Sequence, residues 1–131
     1  MLKMVVKARR LACATLIAVA VCGPAAANFT CEGKITYLGM NSEGFVSVAV
    51  GGFGVWYMCS QSAPVVFAGT TFTPEGCRAW YATFLASQKT DQSILFFFQS
   101  PATTGNGPEC TALGTWAFPT IAPYHMTVRG P

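Results

Sequence analysis

Thr73-Pro74-Glu75-Gly76-Cys77-Arg78-Ala79-Trp80-Tyr81-Ala82-Thr83-Phe84-Leu85-Ala86-Ser87-Gln88-Lys89 is the stretch that decides the fold. Thr73 can cap an amino end, Pro74 suits the first helical position, and Glu75 places a negative charge where the helix dipole favours it. Cys77, Trp80, Tyr81, Phe84 and Leu85 then recur at the spacing that lines one helical face, with Lys89 at the other end. The pattern predicts an amphipathic helix over Pro74 to Gln88.

Everything around this helix reads as strand. Upstream, Gly33 to Met40 is followed by the turn residues Asn41-Ser42-Glu43-Gly44. Phe45 to Val50 then alternates, with Val46, Val48 and Val50 on one face and Phe45, Ser47 and Ala49 on the other. The glycine-rich turn Gly51-Gly52-Phe53-Gly54 leads into a third strand, Val55 to Cys59. Gln61 to Thr71, with Pro64 and Gly69, reads mainly as loop with a short extended piece at Val65-Val66-Phe67. Downstream, the apolar run Ser93 to Phe98 suits a strand covered on both faces. Pro101 to Pro108 reads as an exposed loop, the piece with Trp116 and Phe118 is undetermined, and Pro123 to Val128 is a last alternating strand. The order strand-strand-strand-helix-strand-strand predicts an α+β domain. Its sheet is a small curved antiparallel one or an OB-like barrel carrying one amphipathic helix.

At the helix and the strand after it, the chain resembles the small B subunits of AB5 toxins, particularly the subtilase-cytotoxin and typhoid-toxin type. The residues that carry this are Cys77 to Ala86, the Ile94 to Phe98 strand, the preceding hairpin strands and Tyr57-Met58-Cys59. The chain also resembles small exported bacterial proteins of similar layout. The resemblance implies a disulfide-containing barrel, assembly into a pentameric ring and binding of sialylated glycans. The serine-rich segment that contacts sugar in those subunits has no counterpart here, so no binding residue carries over.

Lys3, Lys7, Arg9 and Arg10 precede an apolar stretch from Leu11 to Val21, then Gly23-Pro24 and Ala25-Ala26-Ala27. That is the order of a secretory signal, and the apolar run is too short to span a bilayer. Residues 1–27 are therefore expected to be a signal peptide cleaved after Ala27, leaving one domain over 28–131. Val21 before Cys22 disfavours lipid modification of that cysteine, which stays the second reading.

The formal net charge of +3 comes from the expected signal, since four of the eight cations lie there. Lys34, Arg78, Lys89 and Arg129 remain against five acids, a net of −1. Four scattered cations do not make the phosphate-neutralising surface that nucleic acid requires, nor a basic membrane-attachment surface. After signal cleavage the sequence predicts a periplasmic or secreted protein with no stable membrane insertion.

Cys31, Cys59, Cys77 and Cys110 imply two disulfides, with three pairings open. Cys59–Cys77 with Cys31–Cys110 is preferred, because the first closes a short segment and the second joins the ends of the domain. Zinc is disfavoured by the lack of a close cysteine pair and by the single histidine, His125. No cofactor is expected.

One histidine, dispersed acids and serines without a glycine-flanked elbow argue against a hydrolase. The Gly51 to Gly54 turn lacks the following lysine of a phosphate loop. The remaining binding chemistry is aromatic. Trp56 and Tyr57 are neighbours on a strand and point to opposite faces, so one belongs to the core and the other is the candidate to stack on a sugar or anchor a protein. The expectation is a non-catalytic binding module for a glycan or protein, able to form a homo-oligomer. The alternative is a structural or envelope-associated protein with no small ligand.

Overall fold

The computed structural model describes residues 27–100 and 108–130. The expected signal, as far as residue 26, and residues 101–107 of the expected loop lie outside the described residues. In chain order the elements are β1 (Ala27–Met40), β2 (Phe45–Val50), β3 (Val55–Ser60), β4 (Val65–Phe67), β5 (Thr70–Phe72), α1 (Pro74–Lys89), β6 (Ser93–Ser100), α2 (Pro108–Ala112) and β7 (Pro123–Arg129). The fold is α+β: a five-stranded sheet in the order β3-β2-β1-β6-β7, a separate β4-β5 hairpin, and the helix α1. Neighbours in the large sheet all run antiparallel.

β1 begins six residues before the expected Gly33, because Asn28-Phe29-Thr30-Cys31-Glu32 continues the alternation of polar and apolar residues. The strand serves two partners in turn, pairing with β6 through Ala27 to Lys34 and with β2 through Ile35 to Met40. At the changeover the backbone of Gly51 passes so close that a Cβ on Gly33 would lie 2.7 Å from its nitrogen. Only glycine leaves room for that crossing.

The inward face of the sheet carries Val46, Val48, Val50, Trp56, Met58, Ile94, Phe96 and Phe98, all buried. Trp56 meets Phe96 and Phe98 edge-on at 6.1 and 6.2 Å, and Phe29 stacks on Phe98 at 5.0 Å. Leu95, on the opposite face of β6, is also buried, so this strand is covered on both sides at its middle.

α1 forms where the sequence predicts it and runs one residue further. The Thr73 hydroxyl accepts from Gly76 N at 3.2 Å, Pro74 occupies the first turn, and Thr90 N donates to Ala86 O at the other end. The buried face differs from the expected one. Cys77, Phe84 and Ser87 are buried, Trp80 and Tyr81 are half-buried, and Leu85 is 36% exposed. The helix axis is rotated so that the centre of its apolar stripe falls between Trp80 and Phe84, which turns Leu85 to the flank and Ser87 inward.

Two disulfides close the structure, Cys31–Cys110 and Cys59–Cys77, with Cα separations of 5.7 and 5.5 Å. The first ties β1 to α2 and the second ties β3 to α1.

The segment expected as loop contains the β4-β5 hairpin. Its connection, Ala68-Gly69, has φ of 46° and 76°, the two left-handed residues of a tight hairpin turn. Alanine is an unusual occupant of that position, which is why the sequence did not announce a turn. Phe67 and Phe72 stack across the hairpin at 4.8 Å.

Candidate functional site

The site begins in the β1–β2 turn. The Asn41 side-chain oxygen accepts from the backbone nitrogens of Glu43 (3.1 Å) and Phe45 (2.9 Å), and Asn41 O accepts from Gly44 N. One asparagine thereby satisfies the turn that an Asx residue favours. Gly44 sits at φ 84°, and its carbonyl accepts from Gln61 N, fastening the turn to the end of β3.

The register of β2 and β3 decides which side chains share the outer face. Val48 pairs with Trp56 on the inward side, while Ser47 pairs with Tyr57 and Ala49 with Val55 on the outward side. Phe45, two residues before Ser47, joins the outward row and meets Tyr57 at 6.4 Å.

The remaining wall comes from the stretch after α2, which lies beside β3 and makes a parallel bridge between Trp56 and Ala117. Trp116 N donates to Val55 O, Tyr57 N donates to Ala117 O, Val55 N donates to the Thr115 hydroxyl, and the Trp56 indole donates to Gly114 O. These four bonds place Phe118 against Phe45 at 5.8 Å, Tyr57 at 6.0 Å and Phe67 at 4.9 Å.

Asn41, Glu43, Phe45, Tyr57 and Phe118 line a cleft of about 230 Å³. Its three rings are half-buried. Among the described residues Glu43 is not ion-paired, whereas Glu32 pairs with Arg129, Glu75 with Arg78 and Asp91 with Lys34. Neither the Tyr57 hydroxyl nor the Asn41 amide nitrogen is engaged by another described residue. The cleft therefore offers apolar ring surface, one free carboxylate, one amide donor and one phenol.

Comparison of the chain with protein-family models, curated proteins and solved structures finds no match. Its function has to be read from this geometry.

Of the two aromatic candidates from the sequence, Trp56 is 0% exposed and packs in the core, so it is withdrawn as a ligand contact. Its row partner Val48 faces inward, and its indole nitrogen is spent on Gly114 O. Tyr57 is the one that reaches the cleft. The sequence does not single out Asn41, Glu43, Phe45 or Phe118 as site residues. The signal for Phe45 was present in its alternation with Ser47, whereas Phe118 reaches the site through hydrogen bonds to β3 that no local pattern encodes.

A second aromatic pair lies outside the cleft lining. Trp116, at φ 52° and 57% exposed, meets Tyr37, 41% exposed, at 5.6 Å. His125 lies on β7, where its ring packs on its cross-strand partner Phe97 at 5.3 Å. Among the described residues no three His, Cys, Asp or Glu side chains gather as a metal site, and no helix is long and apolar enough to cross a membrane.

Proposed function

We propose that this chain is an exported, non-catalytic binding module that takes a glycan or protein ligand in the cleft between the β1–β2 turn and Phe118. The observation that carries the reading is the convergence of three half-buried rings with a free carboxylate, an amide and a phenol at one concavity. Rings that keep one side accessible supply contact area, and the polar rim fixes orientation.

The topology supports the same reading. In an OB-like barrel, ligands meet the face of the second and third strands and the loops joining strands one to two and four to five. Taking β1, β2, β3, β6 and β7 as those five strands, Phe45 and Tyr57 come from the second and third. Asn41 and Glu43 then come from the first of those loops and Phe118 from the other. A toxin-B-subunit-like arrangement, including self-association, belongs to this proposal. Two disulfides are compatible with an oxidising export compartment, periplasmic or extracellular. The envelope-structural alternative expects the large rings to be consumed by the core. Exposure of Trp116 and half-exposure of Tyr57 weigh toward binding.

A glycan array read with the oxidised protein, beside the Tyr57→Ala and Phe118→Ala variants, tests the module. Retention that both variants lose is expected. Retention that survives both substitutions would move the site elsewhere on the molecule.

A further inference from the structure

Resting on the reading of this cleft as the binding site, we infer that the group it takes is a compact organic cation, an alkylammonium held against the rings and beside Glu43. Four features lead there.

The first is ring geometry. A sugar stacks on a flat aromatic face, but Phe45 and Tyr57 are inclined at 62°, Phe45 and Phe118 at 73°, and Tyr57 and Phe118 at 53°. Three rings at such angles form a corner, which fits a rounded group better than a flat one. The negative ring faces of such a corner attract a cation, and quaternary ammonium groups are the ligands that aromatic cages recognise.

The second is size. At about 230 Å³ the cleft falls below the range of roughly 300–1,000 Å³ usual for small-molecule pockets, so it admits one compact group and leaves the carrier outside.

The third is charge. Glu43 is the one ionised side chain lining the cleft. The guanidinium nearest the β1–β2 turn by its contacts, Arg78, donates to Gln61 O and pairs with Glu75. Glu43 thus lines the cleft unneutralised by any described side chain, and it repels a carboxylated or phosphorylated sugar as it attracts an ammonium.

The fourth is the rim. The Tyr57 hydroxyl oxygen can accept from a primary ammonium, and the Asn41 amide nitrogen can donate to an adjacent hydroxyl on the carrier.

Two carriers share this chemistry, a choline-type headgroup and a protonated amino sugar. Paired probes separate charge from shape: choline against its neutral carbon isostere dimethylbutanol, and glucosamine against N-acetylglucosamine. Each is titrated into the oxidised protein while the amide resonances of Asn41 to Phe45 and of Phe118 are followed. Choline is expected to bind roughly tenfold more tightly than its isostere. E43Q should narrow that gap about two- to fivefold, the worth of an exposed ion pair. Phe118→Leu, which keeps apolar bulk without the ring, should weaken choline while the melting curve stays near that of the parent. Whichever cation binds more tightly identifies the carrier. Equal binding of cation and neutral partner, or a choline affinity indifferent to E43Q, overturns the inference and leaves the cleft a binding site. If no probe shifts these resonances while the glycan array is positive, the inference alone fails. A blank array as well removes the glycan reading of the cleft with it.

Discussion

At residue 33 the absence of a side chain sets where β1 changes partner. A Cβ there would stand 2.7 Å from Gly51 N and 2.8 Å from Gly51 Cα, both backbone atoms that cannot rotate aside. Gly51 N also donates to Lys34 O at 2.8 Å, so moving the turn away breaks a bond as it relieves the clash. Gly33→Ala should therefore cost about 1–3 kcal/mol, the usual price of inserting a methyl where there is no room. Urea denaturation measures it. A change within about 0.5 kcal/mol, typical of an unconstrained surface site, would mean that the β2–β3 turn yields and that this crossing is not tight.

The helix shows how far local pattern reaches. Thr73, Pro74 and Glu75 specify a start that the structure reproduces atom for atom, because a cap involves only neighbours in sequence. The face of the helix is a different matter. Five residues at helical spacing define a stripe, but which part of it meets the core depends on where β1, β3 and β6 lie, and that is non-local. Hence Phe84 is fully buried while Leu85 stands at the flank. Phe84→Ala should cost about 3–5 kcal/mol, because its ring is enclosed by Trp80 and Phe96 at 6.2 and 6.0 Å. Leu85→Ala and Gln88→Ala should each stay within about 1 kcal/mol. Thermal melts that penalise Leu85→Ala as heavily as Phe84→Ala would restore the wider stripe read from sequence. The cleft was legible to the same extent: the Asn41 to Gly44 turn and the opposite facing of Trp56 and Tyr57 follow from neighbours in sequence, but which of the two turns outward does not. The placement of Phe118 depends on the parallel bridge between Trp56 and Ala117 and on the hydrogen bond from Val55 N to the Thr115 hydroxyl, 60 residues away in the chain.

For the whole molecule the two disulfides do unequal work. Cys31–Cys110 closes a separation of 79 residues and Cys59–Cys77 one of 18, so cross-linking removes more freedom from the unfolded chain in the first case. Loop entropy puts the contributions at about 4.5 and about 3 kcal/mol. Their positions separate them further. Cys59–Cys77 fastens α1 to β3, two elements already joined through Phe96, on which the buried Phe84 and Trp56 both pack. Cys31–Cys110 fastens α2 to β1, and α2 leads directly into residues 114–118, the stretch that carries Phe118 into the cleft. Paired serine substitutions make the difference measurable. Cys31→Ser with Cys110→Ser should lower stability more than Cys59→Ser with Cys77→Ser. At temperatures where both variants remain folded, the first should also lose ligand retention, because the wall of the cleft is then held only by its hydrogen bonds to β3 and the ring contacts of Phe118, with no covalent anchor. Equal loss of retention in the two variants would show that Phe118 is positioned through β3 and owes nothing to the anchor at Cys110.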